Sequence, residues 1–273
     1  MQKKTLRTLF SEYVYKIPDY QRGYAWVEKQ WIDFAQDIDA LIDDQVRGHY
    51  TGTVVIYADR RSEQVNYGTQ RLDVVDVVDG QQRLTTACLY LSLILHELIK
   101  RGQVDYEREI PHYLYAAGRC KLELNNDTQH LFYELLKAGH PNTDVHTAHG
   151  KRLILAHDYF KRHLATQLDK RSTESQTYLK ELFQALTGKL HFTFYEIEEE
   201  CEIGMTFELM NSRGKNLSVL ELLKNYLMHW ASRNAQINGT SEALTRVLNQ
   251  HWKTTYTNLG TCSGSEDQCL RVA

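Results

Sequence analysis

Three short segments carry residue types suited to chemistry on phosphates or nucleobases. In DVVDGQQRLTTACLYL, residues 76–91, a hydrophobic run ends at Asp79, turns at Gly80 and continues through Gln81, Gln82, Arg83, Thr85 and Thr86 into a leucine-rich stretch. A helix starting after Gly80 would leave its first-turn N–H groups without internal partners, at the positive end of its dipole. An anion docked there gains hydrogen bonds and a favourable field together, and phosphate is the natural guest. Arg83 adds a planar fork matched to phosphate oxygens, Thr85 or Thr86 a hydroxyl, and Asp79 a carboxylate for a magnesium ion held directly or through water. The rival use of these residues is plain capping of a strand–helix junction, and the segment alone leaves both uses open.

In IPDYQRGYAW, residues 17–26, an extended backbone would send Tyr20, Arg22, Tyr24 and Trp26 to one side and Gln21 to the other. Aromatic faces alternating with a guanidinium suit stacking on bases or sugars with a phosphate clamp. Against that stands a core role for Tyr24 and Trp26, closing over a sheet. In TFELMNSRGKNLSVLELLKNYL, residues 206–227, Asn211, Ser212 and Arg213 fall in a turn between two helices, with Gly214 as a left-handed stop. Ser218 and Glu221 form a capping box, and Lys224, one turn after Glu221, serves either as its ion-pair partner or as a ligand contact.

Other chemistries find less support. No G-x-x-x-x-G-K-[ST] segment occurs, so a nucleotide site would not be an ordinary P-loop. His140, His146, His149 and His157 cluster in sequence, but His146 and His149 sit in a polar bend with no ordered acidic or thiol companions, a poor metal set. The acidic run from Glu196 to Glu202 reads as a solvated strand end. Five cysteines without a C-x-x-C pair fit neither a zinc ribbon nor a disulfide framework. Lys and Arg total 32 against 35 Asp and Glu, so any DNA contact is expected in a local patch and not as electrostatic wrapping.

The elements that must position these segments follow from periodicity. YVYKIP, residues 13–18, predicts a short strand halted at Pro18; residues 27–46 predict a helix on the spacing of Trp31, Phe34, Ile38 and Leu41. The β-branched runs 50–59 and 71–80 predict two strands with a long polar connection, and the leucines after residue 84 predict a buried central helix. Amphipathic helical patterns fill 107–187 around a polar bend at 137–150, and residues 189–198 alternate as a strand returning to the sheet. The expected class is α+β: a sheet-bearing core over 1–105, a large helical subdomain over 106–188, a returning strand with C-terminal helices over 189–258, and a linker over 259–273 toward a further domain. The start, MQKKTLRTLF, lacks an apolar run of signal-peptide length, and polar residues interrupt 84–99, so a cytoplasmic location without a membrane span is expected.

Together IPDYQRGYAW, DGQQRLTT and FELMNSRGKNLSVLELLKNYL resemble, in that order, the amino-terminal domain of GmrSD-type, modification-dependent restriction endonucleases and related phage-defence proteins, from about residue 5 onward. The resemblance implies a small ParB/sulfiredoxin-like mixed-sheet core with a helical part. It implies nucleotide binding and hydrolysis at Asp79, Gly80, Gln81, Gln82 and Arg83, with Mg2+ as the ion accompanying the nucleoside triphosphate. Thr85, Thr86, Asn211, Arg213 and Lys224 are the further candidate nucleotide contacts, and Tyr20, Gln21, Arg22 and Tyr24 the candidates for sensing modified phage DNA. Two departures matter. Sulfiredoxins carry a catalytic cysteine where this chain has Gln81 and Gln82, and the H-x-x-P signature of the family's nuclease domain is absent, the prolines being Pro18, Pro111 and Pro141. The expectation is therefore an NTP-hydrolysing sensor that acts on a separate or C-terminal nuclease domain, with pairing to a second copy left open. The rivals are a non-hydrolysing DNA-binding module and a ParB-like nuclease.

Overall fold

A computed structural model of the chain describes residues 2–18, 21–43, 47–58, 63–125, 128–142 and 144–197, with single positions between 223 and 258. Two elements that periodicity does not predict open it, β1 (Gln2–Thr5) and α1 (Leu6–Glu12). Leu6, Leu9 and Phe10 are fully buried at helical spacing, and Thr5 caps the helix in a reciprocal bond pair with Thr8. β2 (Tyr13–Lys16) ends short of Pro18, and α2 (Glu28–Asp43) buries Trp31, Phe34, Ile38 and Leu41 as their spacing predicts. β3 (His49–Tyr57) follows the YTGTVVIY run.

The polar stretch expected as a long connection instead contains β4 (Gln64–Tyr67), which turns at Gly68 into β5 (Gln70–Asp79). Within QVNY only Val65 and Tyr67 are buried, a period-two pattern too short to stand out from its polar surroundings. α3 (Gln81–Lys100) is the buried central helix. The following stretch is helical but not wholly so: after α4 (Glu109–Tyr113) come the hairpin β6 (Tyr115–Ala116) and β7 (Arg119–Cys120) and then β8 (Leu122–Glu123). α5 (Thr128–Ala138), α6 (Ala148–Lys170) and α7 (Ser175–Gln184) complete it, and β9 (Leu190–Ile197) returns to the sheet.

The chain is thus an α+β domain with a mixed seven-stranded sheet in the order β1-β9-β3-β5-β2-β8, β4 pairing with the first half of β5. β2 lies parallel to both β5 and β8, so the helical stretch contributes a strand to the main sheet. One buried cluster joins residues of α1 to α7 to the side of the sheet that carries Tyr15, Val54, Ile56, Val77 and Phe192. The opposite side carries two small strand clusters, around Val14 and Tyr67 and around Val55 and Val78. Among the described residues no helix is long and apolar enough to cross a membrane.

Candidate phosphate site at the β5–α3 junction

β5 reaches its functional end through a bulge. Opposite β3 it advances two residues, Val77 to Asp79, where β3 advances one, Ile56 to Val55. Such a bulge bends the strand and re-aims the side chain after it, here Asp79. Gly80 then takes φ 92°, ψ 0°, a left-handed conformation that only glycine adopts cheaply, and a Cβ there would sit 2.8 Å from the Thr53 carbonyl oxygen. The glycine is required twice, for its dihedral and for the close passage of β3. α3 starts immediately after it, and no side chain caps its first turn.

Arg83 lies over β3 at Gly52: a Cβ on Gly52 would stand 2.7 Å from the guanidinium carbon. The glycine in an otherwise β-branched run is the opening through which this side chain approaches the backbone. Burial raises the pKa of the Asp79 carboxyl above the ordinary range; the Arg83 guanidinium, the Gly80 N–H and Arg22 pull it back only in part. Asp79 therefore stands in the field of two guanidiniums, one from each of the first two segments.

Those segments meet along their length through hydrogen bonds between residues 56–62 apart in sequence. Gln21 is 4% exposed and donates from Nε2 to the carbonyls of Val77 at 2.7 Å and Val78 at 3.0 Å, across the bulge. Asn125, just after β8, donates to the Gln21 carbonyl at 2.6 Å. Gln82 accepts the Ala25 N–H at 2.8 Å and donates to the Gly23 carbonyl at 3.3 Å. The Tyr24 hydroxyl bonds the Thr86 hydroxyl at 2.8 Å and accepts from Trp31 Nε1 at 2.9 Å. The strict alternation expected for residues 17–26 does not form: Gln21 and Tyr24 are both buried, Arg22 is half-buried, and Trp26 packs edge-on to Phe34 with ring centroids 6.0 Å apart.

Thr85 and Thr86 are buried, and each hydroxyl donates back one turn, to the carbonyls of Gln81 and Gln82, both at 2.8 Å. Their protons are thereby committed within the helix. Gln81 and Arg83 stay half-buried at the helix start. Sequence reasoning passed over Gly52 and Asn125 and gave no role at this junction to Trp31, read as helix core, or to His149, read as a poor metal ligand, whose ring packs where a Gly23 Cβ would fall, 2.5 Å from Cγ. Of these only Gly52 left a signal, as an isolated glycine in a strand run. Tyr20, Asn211, Arg213 and Lys224 lie outside the described residues.

Among the described residues no group of three or more His, Cys, Asp or Glu is placed to hold a metal ion. A lone carboxylate such as Asp79 would suit only a magnesium ion that already keeps water or phosphate oxygens as its other ligands. An uncapped helix start, a glycine turn and two guanidiniums thus surround one half-buried acid where residues 21–25 meet residues 77–86 at the bulge between β3 and β5. The profile of the GmrSD restriction endonuclease N-terminal domain matches residues 6–228, and the chain belongs to that family. It is thus a component of a restriction system. A search of curated proteins gives no match.

Proposed function

We propose that the chain is the NTP-binding and hydrolysing sensor domain of a modification-dependent, cytoplasmic restriction system, coupling recognition of modified phage DNA to a nuclease domain. The observation that carries this reading is the junction itself. An uncapped helix N-terminus, Arg83 and Arg22 converge around Asp79, at the place where residues 21–25 lie against residues 77–86.

In this reading the first-turn amides of α3 and Arg83 hold the phosphates, while Asp79 gives one oxygen to the accompanying magnesium. That ion supplies charge neutralisation on the phosphates when bound. The two glutamines divide their work. Gln82 has both ends of its amide on Gly23 and Ala25, which leaves Gln81 as the side chain available to orient the attacking water. Catalysis then rests on positioning and charge neutralisation, as phosphoryl transfer generally does.

The test is phosphate release from GTP, ATP, CTP and UTP with and without modified DNA, beside Arg83→Ala. Removing charge-assisted bonds of about 1.5–3 kcal/mol should weaken nucleotide binding roughly ten- to a hundredfold. Unchanged affinity and turnover in a folded Arg83→Ala protein reject the assignment. Steeply salt-dependent DNA binding without phosphate release would establish the non-hydrolysing module instead.

A further inference from the structure

Gln82 occupies the first turn of the helix proposed to hold phosphate, yet its side chain is turned to the neighbouring loop. Its Oε1 takes the Ala25 N–H at 2.8 Å and its Nε2 reaches the Gly23 carbonyl at 3.3 Å. The Gln82 amide offers a separate acceptor atom and donor atom at one side-chain end; ionised glutamate has acceptors only and methionine no donor, so neither reproduces the pair.

One turn along the helix the same loop is tied again. Thr86 has a single hydroxyl proton and gives it to the Gln82 carbonyl, so the Tyr24 phenol must be the donor in the bond between them. The donors then run one way, Trp31 to Tyr24 to Thr86 to the Gln82 carbonyl, with Trp31 Nε1 to Tyr24 at 2.9 Å. Both ties end at Gln82, one on its side chain and one on its backbone.

The start of the loop is fastened elsewhere. Gln21 bonds the carbonyls of Val77 and Val78 on β5, and Asn125 bonds the Gln21 carbonyl. The loop is therefore anchored to the sheet at one end and to the helix at the other. Cutting the Gln82 side-chain tie leaves the sheet anchor and the Tyr24–Thr86 bond whole, so the loop keeps its place on the fold while its direct side-chain link to the first turn of α3 is lost.

We infer that Gln82 is a positioning residue that couples the loop 21–25 to the helix start. Displacement of one shifts the other, and a ligand at either place changes affinity at the second by the same factor. The inference rests on the reading that the start of α3 binds a polyphosphate, and it specifies how that site communicates.

The experiment is hydrogen exchange read by mass spectrometry on the full chain, with magnesium and each of the four nucleoside triphosphates in turn. The variants are Gln82→Met and Gln82→Glu, the latter keeping an acceptor for Ala25 if the former folds poorly. In the wild type, nucleotide should slow exchange in peptides covering both 79–86 and 21–26, the latter by roughly fivefold or more. In Gln82→Met, protection should persist at 79–86 and fall severalfold at 21–26; Gln82→Glu, which keeps the Ala25 acceptor but loses the donor to Gly23, should lose less. Equal protection of both segments in the variants overturns the inference, as does wild-type protection confined to 79–86, which leaves the nucleotide reading standing. If no triphosphate protects 79–86 in the wild type, the nucleotide reading falls and the coupling falls with it.

Discussion

Two regions bury polar side chains to the same depth and treat them differently. At the β5–α3 junction Gln21, Tyr24, Thr86 and Asn125 are each at most 5% exposed, and each meets a hydrogen-bond partner on another segment. Beneath the β4–β5 hairpin, Lys121 is 2% and Tyr67 4% exposed. There the ammonium sits 4.7 Å over the Tyr67 ring, and the Tyr67 hydroxyl has no hydrogen-bond partner among the described residues. Burial pushes the Lys121 amine down to about 8 and the Tyr67 phenol up. A buried polar group that is fully partnered fixes the relative position of the segments it joins; one that is not only costs. Substitutions at the junction should therefore lose stability or function, and substitutions at the corner should gain stability.

The largest contrast is between two glycines. Gly80→Ala forces a left-handed alanine into the Thr53 carbonyl, whereas Gly118, in the β6–β7 turn at φ 83°, has nothing within 4 Å of an added Cβ. Gly80→Ala should cost about 2–4 kcal/mol, strain and overpacking together, and Gly118→Ala about 1 kcal/mol, strain alone. Thermal unfolding checks both. Equal losses would mean that the β3 approach exerts no force on the turn.

Next in size come two neighbouring threonines. Thr86→Val keeps the shape but leaves the buried Tyr24 hydroxyl without its acceptor, at about 1–3 kcal/mol, whereas Thr85→Val removes only a back-bond within the helix and should cost less than about 1 kcal/mol. Chemical denaturation of the pair measures the difference. A larger loss for Thr85→Val would show that the tie to the loop contributes little to the fold.

What was legible in the sequence divides along the same line. α2 and α3 follow from helical spacing, β9 from alternation, and β3 and β5 from β-branched runs, each sustained over eight or more residues. β1 was hidden because QKKT has no apolar alternation and is a strand only by pairing with β9; β8 spans two residues and exists only beside β2. The junction's segments stood out by residue type, but nothing local told that Gln21 would seal a bulge or that Gln82 would turn from solvent to Gly23 and Ala25. Those roles are set by contacts 56–62 residues apart, which no window-length pattern encodes.

At the corner, Lys121→Met should raise stability at neutral pH, by on the order of 1 kcal/mol, because it replaces a desolvated amine with an apolar chain of similar length. The pH dependence identifies the cause. The folded pKa, about 8, lies below the ordinary lysine value of 10.5, so the unfolded chain binds more protons between them. Stability from this group is present above the higher value and lost as pH falls toward 8. The gain from Lys121→Met should accordingly shrink as pH rises through that window. A gain independent of pH would assign it to packing alone.

The smallest expected effect is also the one that separates the roles of Asp79. Its pKa is raised on folding, so its contribution to stability is present below the ordinary carboxylate range and lost as pH rises through the folded value. Asp79→Asn should flatten that dependence. Without divalent metal it should also bind a nucleoside triphosphate more tightly, because a like charge beside the phosphates is gone and Arg83 and Arg22 no longer face a carboxylate. About 1 kcal/mol, roughly fivefold, is the size set by one charge pair at 4 Å in water. The ligand's own titration is common to both proteins, so the difference between their pH profiles reports Asp79 alone. With magnesium the order should invert, since the variant lacks the oxygen that the ion would take, and turnover should fall although binding in its absence improves. A variant that binds more weakly with and without metal would mean that Asp79 shapes the turn and that its charge is incidental to the ligand.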